Sequence, residues 1–154
     1  MLHKSILVLH PRFYIFDNGV LNALLSNFIV SADRIGMLFE NLVFTQLYHT
    51  LLAAGRDFRL SHYRTAAGAE VDIVLELDGE IFALEVKGGY YKKTELHGLE
   101  SLQKYTGKKI RKFVLVPRGR SSMAGDINII DWQSFLAGYC TPGGRPLRNS
   151  RHGF

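Results

Sequence analysis

The 154-residue sequence predicts an α/β fold, a mixed β-sheet flanked by helices, from three observations. Residues Glu70 to Lys87 hold two runs rich in Val, Ile, Leu and Phe around an Asp78-Gly79 pair, a strong signal for a two-residue β-hairpin turn. Downstream, a strand, a helix-length segment and a second short apolar strand spell a βαβ unit, whose last strand lies parallel to Phe82–Lys87. Upstream, a long segment ending near Gly55 is apolar most of the way round, as a helix buried on more than one side requires.

In chain order, two short apolar runs, Ile6–Leu9 and Phe13–Phe16, are split by Pro11. The first reads as an edge strand or packed arm. Asp17 is placed to cap a helix with Val20, Leu21, Leu24 and Leu25 on one side. Ser31 or Asp33 can cap the long helix, which runs to about Ala54 with Gly55 as its stop. Phe58–Tyr63 reads as a strand, followed by a loop through Ala66, Ala67 and Gly68. In the hairpin, Leu77 faces Glu80, and counting outward sets Asp72 opposite Glu85 and Glu70 opposite Lys87. Alternation puts Val71, Ile73, Leu75, Leu77, Phe82, Leu84 and Val86 on one face, and Glu70, Asp72, Glu85 and Lys87 on the other. Gly88-Gly89 ends the hairpin. Thr94 can cap a helix through Tyr105, with Leu96, Leu99 and Leu102 buried and Gly107 ending it. Lys112–Val116 and Ile127–Ile130 are strands, and Asp131 can cap a last turn holding Trp132 and Phe135.

Bulk properties narrow the class. The chain is long enough for one packed domain, assigned to residues 1–140, with a flexible basic tail over 141–154 carrying Arg145, Arg148 and Arg151. A single cysteine, Cys140, leaves no internal disulfide and no Cys-based zinc site, which suits a reducing cytosol. No run approaches a membrane span, and Pro11 cuts the N-terminal apolar run short of a signal sequence. The net charge of +5 permits a polyanionic partner without demanding one. No phosphate-loop, zinc-protease or serine-elbow pattern occurs.

What remains is an acid cluster. Like charges set opposite each other on a hairpin repel, so Asp72 and Glu85 want a cation between them. Glu40, on an apolar stripe of the long helix, needs a donor, a cation or a proton. One reading is a structural Glu bonded to backbone or to an Arg, above a solvated hairpin face with ordinary salt bridges such as Glu70–Lys87. The other is a site for Mg²⁺ or Mn²⁺, which prefer a few carboxylates plus water and a phosphate, with Lys87 orienting the attacking water.

Asp72 followed after a hairpin by Glu85-Val86-Lys87 resembles the core of the PD-(D/E)XK nuclease superfamily, with Glu40 similar to its helix-borne acid. More narrowly, Arg12-Phe13-Tyr14-Ile15-Phe16-Asp17-Asn18-Gly19-Val20, Gly36-Met37-Leu38-Phe39-Glu40-Asn41, and Tyr63-Arg64 ahead of Glu70-Val71-Asp72 resemble the DUF4143 domain found at the C-terminus of many prokaryotic AAA-type ATPases. The resemblance covers most of residues 11–137. It implies a restriction-endonuclease-like fold, with Asp72, Glu85, Glu40 and the Val86 carbonyl as ligands of Mg²⁺ or Mn²⁺ and Lys87 assisting the water. Gln103 is the candidate polar contribution from the following helix. Val71 stands where the superfamily name has Pro, and the ATPase module usual in the group does not occur in this sequence.

Two functions from different classes follow: a metal-dependent endonuclease acting on DNA, as a monomer or homodimer, or a non-catalytic module that contacts DNA or docks an AAA-type ATPase. Lys92, Lys93, Lys104, Lys108, Lys109, Arg111 and Lys112 are the candidate basic surface, with ordinary solvated charge as the competing reading.

Overall fold

A computed structural model describes residues 12–89 and 96–144. The expected strand at Ile6–Leu9, the Thr94 cap, Lys92, Lys93 and the tail arginines lie outside these residues.

Among the described residues six strands form one mixed sheet: β1 (Phe58–Arg64), β2 (Glu70–Leu77), β3 (Glu80–Val86), β4 (Arg111–Val116), β5 (Ser122–Ala124) and β6 (Ile127–Asp131), in spatial order β1-β2-β3-β4-β6-β5. The β2–β3 hairpin forms as its turn residues dictate. Leu77 pairs with Glu80, and Asp78 and Gly79 both take positive φ, 52° and 78°, as a type I′ turn needs. β3 and β4 are parallel across the helix α3 (His97–Thr106), so the βαβ unit is present. β5 lies between the two strands expected at Lys112–Val116 and Ile127–Ile130, where three residues carry too little pattern to register.

Helices cover both faces. α2 (Ile35–Ala53) sets Phe39, Val43, Leu47 and Leu51 against Ile73, Leu75, Phe82 and Leu84, a core completed by Phe135 of α4 (Trp132–Phe135) and by Cys140 at the end of the π-helical turn Leu136–Cys140 that follows. On the opposite face Leu99 and Leu102 of α3, with Leu96 just before it, pack on Val74, Ala83 and Val114. Gly98 brings α3 onto the start of β2: a Cβ there would sit 1.7 Å from the Glu70 carbonyl oxygen.

Four expectations change. Val71 packs with the α3 cluster, not with Ile73 and Leu75. The β1–β2 register passes from Ser61↔Val74 to Tyr63↔Val71, so β2 carries one extra residue at Asp72-Ile73, and such a bulge swaps faces. α2 begins at Ile35 with no side-chain cap from Ser31 or Asp33; the Ser31 carbonyl takes the Arg34 and Ile35 N–H groups instead, each at 3.0 Å. Asp17 does cap α1 (Asn18–Leu24), accepting from the Gly19 and Val20 N–H groups at 2.7 and 3.1 Å, but no α1 residue is buried. Finally, α2 is covered on the sheet side while Ile35, Met37, Tyr48 and Leu52 stay exposed, as do Leu24, Leu25, Phe28, Ile29 and Val30 before it.

Candidate functional site

The acid cluster forms where the hairpin strands part. The paired register of β2 and β3 runs from Leu77↔Glu80 to Ile73↔Leu84. Beyond it the Val86 N–H donates to Asp72 Oδ2 at 2.9 Å, so the side chain, not a strand carbonyl, closes the pair. The bulge re-aims Asp72, and its carboxylate becomes the hinge between two groups of charge.

One group lies on β3. Glu85 is only 3% exposed, and its carboxyl is pushed up to about 9 by burial first and then by the charge and hydrogen bonding of Asp72. Lys87 Nζ, 3.4 Å from Glu85 Oε2, pulls the other way without prevailing. The Lys87 N–H donates to the Leu115 carbonyl at 2.9 Å, which fixes the backbone on which this lysine stands.

The other group gathers on Arg12. Its Nη1 donates to Glu40 Oε1 at 2.7 Å and stands 3.6 Å from Asp72 Oδ1, while Nη2 bonds Glu70. The Tyr14 hydroxyl donates to the same Glu40 oxygen at 2.8 Å. Burial, then the charge of Asp72, raise the Glu40 carboxyl above its ordinary range; Tyr14 and Arg12 counter this. Burial and the neighbouring Glu40 raise the Tyr14 hydroxyl as well, so it remains a donor.

Residues 12–17, an irregular strap, deliver Arg12 and Tyr14 to the cluster. Asn41, buried in α2, accepts from the Ile15 N–H at 2.9 Å and donates to the Ile15 carbonyl at 2.8 Å and to Asn18 Oδ1 at 2.9 Å. The Tyr14 ring stacks on Phe44 with centroids 3.7 Å apart. At the N-terminus of α2 a Cβ on Gly88 would lie 3.5 Å from Gly36 Cα, so this close approach sets how near Glu40, one turn on, comes to the strands.

A family model described as a domain of unknown function, DUF4143, matches residues 35–135. The chain belongs to the DUF4143 family. No curated protein matches it. The DUF4143 match spans α2 to α4 and contains Glu40, Asp72, Glu85 and Lys87; Arg12 and Tyr14 precede it.

In this DUF4143 chain the four candidate residues meet, but Arg12 joins Glu40 to Asp72. Among the described residues no group of three or more His, Cys, Asp or Glu side chains is gathered as a metal cage. Arg12 and Tyr14 carried no role in the sequence reading, although the requirement that Glu40 find a donor or an Arg pointed to such partners. Val86 meets the site through its N–H. Strict alternation set Glu70 against Lys87, whereas Glu70 pairs in register with Arg64, whose Nε lies 3.6 Å from Glu70 Oε2.

Gln103 lines a cleft of about 650 Å³ with Lys104, Lys108, Lys109, Lys112 and Asp126 at the C-terminal end of α3. Two of the proposed surface cations are engaged. Lys112 is 6% exposed and bonds Asp126 at 2.7 Å; the Arg111 guanidinium lies 4.7 Å from the Tyr139 ring centroid and bonds Glu80 at 3.2 Å. Each cation sits where a nearby acid or ring compensates its partial burial.

Proposed function

We propose that this domain is a metal-dependent nuclease of the PD-(D/E)XK kind that hydrolyses DNA phosphodiester bonds. The observation that carries the reading is the meeting of Glu40, Asp72, Glu85 and Lys87, from a helix and two strands, at the parted end of one hairpin. Oxygen donors alone, one of them keeping a proton because burial disfavours its charge, suit a hard divalent cation, which can take the place of that proton.

Glu40, Asp72, Glu85 and the Val86 carbonyl would hold Mg²⁺ or Mn²⁺. Bound there, the ion would polarise a phosphoryl oxygen and lower the pKa of a water. Lys87 orients that water and balances the charge that builds up on the phosphate, from a stem held by the strand beneath it. Asp72 keeps its position through the Val86 N–H. Glu40 is oriented by Tyr14.

Incubation of the protein with plasmid and linear DNA in Mg²⁺ or Mn²⁺ tests this. Cleavage is expected from the wild type and lost in Asp72→Ala and Lys87→Ala. Cleavage unchanged in both variants would assign the activity to a contaminant.

One observation favours a second reading, a non-catalytic nuclease-like module that contacts DNA or docks an AAA-type ATPase: a guanidinium already contacts Glu40, Glu70 and Asp72. Under that reading calorimetry detects no Mg²⁺ or Mn²⁺ binding that Asp72→Asn abolishes.

A further inference from the structure

We propose that Arg12 is the resident cation of the acid cluster and competes with a divalent metal for the carboxylates of Glu40 and Asp72, so that the strap sets the metal affinity of the site. This rests on the metal-site reading above. The geometry is specific. A single nitrogen, Nη1, lies 2.7 Å from Glu40 Oε1 and 3.6 Å from Asp72 Oδ1. It therefore faces the oxygens that a metal shared by these two acids would need. The Arg12 side chain is 24% exposed and that of Asp72 12%, so solvent screens the contact only in part.

A metal shared by Glu40 and Asp72 would stand where Nη1 stands, so the two occupants exclude each other. Glu70 is a different case. Arg64 Nε lies 3.6 Å from its second oxygen, so Glu70 keeps a cationic partner when Arg12 withdraws. Displacement takes the guanidinium from all three acids, but Glu70 retains Arg64, and Glu40 and Asp72 are the two that a metal would compensate in its place. The strap that carries Arg12 has no strand or helix of its own and is held by Asn41 and by the Tyr14–Phe44 stack, so Arg12 can leave without breaking the sheet.

The test is calorimetric titration of Mn²⁺ into the full chain, with thermal melts in parallel, for the wild type, Arg12→Met, Arg12→Lys and Arg64→Met. Arg64 carries the same charge beside Glu70, so its variant measures the general effect of removing one cation. Arg12→Met is expected to bind Mn²⁺ about tenfold more tightly than the wild type. Arg64→Met is expected to change affinity by less than about threefold. Mn²⁺ should also raise the melting temperature of Arg12→Met by more than that of the wild type. If Arg12→Met does not fold, Arg12→Lys, whose compact ammonium cannot span the three acids at once, carries the same expectation with a smaller gain. Equal affinity in the wild type and the Arg12 variants, a gain no larger than that of Arg64→Met, or weaker binding would each overturn the competition and leave the metal site standing. No Mn²⁺ binding by any of the four at millimolar metal would overturn both.

Discussion

The Val86 N–H donates to Asp72 Oδ2 at 2.9 Å, and this bond ties the best-placed acid of the cluster to the opposite strand of the hairpin. Val86 is buried, so its N–H has no water to fall back on. Asp72→Ala should cost about 1–3 kcal/mol in urea denaturation, the penalty for an orphaned buried donor. Asp72→Asn keeps an acceptor oxygen and should cost less than about 1 kcal/mol while losing divalent-metal binding. Equal destabilisation by the two variants would show that the bond is not what Asp72 contributes to the fold.

Glu85 gives stability a pH signature. Its carboxyl is pushed from an ordinary 4.5 up to about 9, by burial first and by Asp72 second. The folded state therefore holds a proton that the unfolded chain releases. The associated stability is fully present below the unfolded value and is lost as pH rises through the folded one. Chemical denaturation in EDTA should show stability falling between about pH 5 and 9. Glu85→Gln, which keeps the neutral shape, should flatten that slope. Metal binding near neutral pH should release a proton, visible as a dependence of the calorimetric heat on the ionisation enthalpy of the buffer.

Asn41 is the pin of the strap. Asn41→Ala removes both bonds to the Ile15 backbone and the one to Asn18, and should cost about 2–3 kcal/mol. Hydrogen exchange at the Ile15 amide should accelerate sharply, while the Leu75 and Phe82 amides in the hairpin should change only with global stability. Loss of protection spread evenly over the chain would mean that the strap is not an independent unit.

Much of this fold was legible because local and long-range signals agreed. Asp78-Gly79 demanded a type I′ turn, Leu96, Leu99 and Leu102 marked one buried stripe, and Gly107 supplied the left-handed stop of α3. Glu40, Asp72, Glu85 and Lys87 were legible as charges whose surroundings needed explaining. What stayed hidden depends on tertiary placement. The bulge at Asp72-Ile73 leaves no mark in an alternating apolar pattern, so Val71 was put on the wrong face. Arg12 lies 28 residues from Glu40 in an irregular segment, where no period exists to aim it. Lys112 read as surface charge because its partner, Asp126, sits across a turn that periodicity does not describe.

Gly98 is required for contact, not for flexibility. Its ideal Cβ falls 1.7 Å from the Glu70 carbonyl oxygen, a backbone atom with no room to retreat. Gly98→Ala should therefore lift α3 off β2 and cost more than about 3 kcal/mol, read as a fall in melting temperature or loss of soluble protein. Gly107→Ala, strained only by its φ of 63°, should cost about 1 kcal/mol.

The hairpin also implies an order of assembly. Its strands are joined by two residues and can pair within microseconds, whereas the parallel β3–β4 contact must first close the long crossover that contains α3. Asp72 and Glu85 thus come together early on the two arms of a local nucleus, while Glu40 and Arg12 reach them from distant segments. Substitutions at Asp78 or Gly79 should slow refolding, and those at Arg12 or Asn41 should chiefly speed unfolding in stopped-flow chevrons. The chain would then acquire its acids first and the cation that reconciles them last.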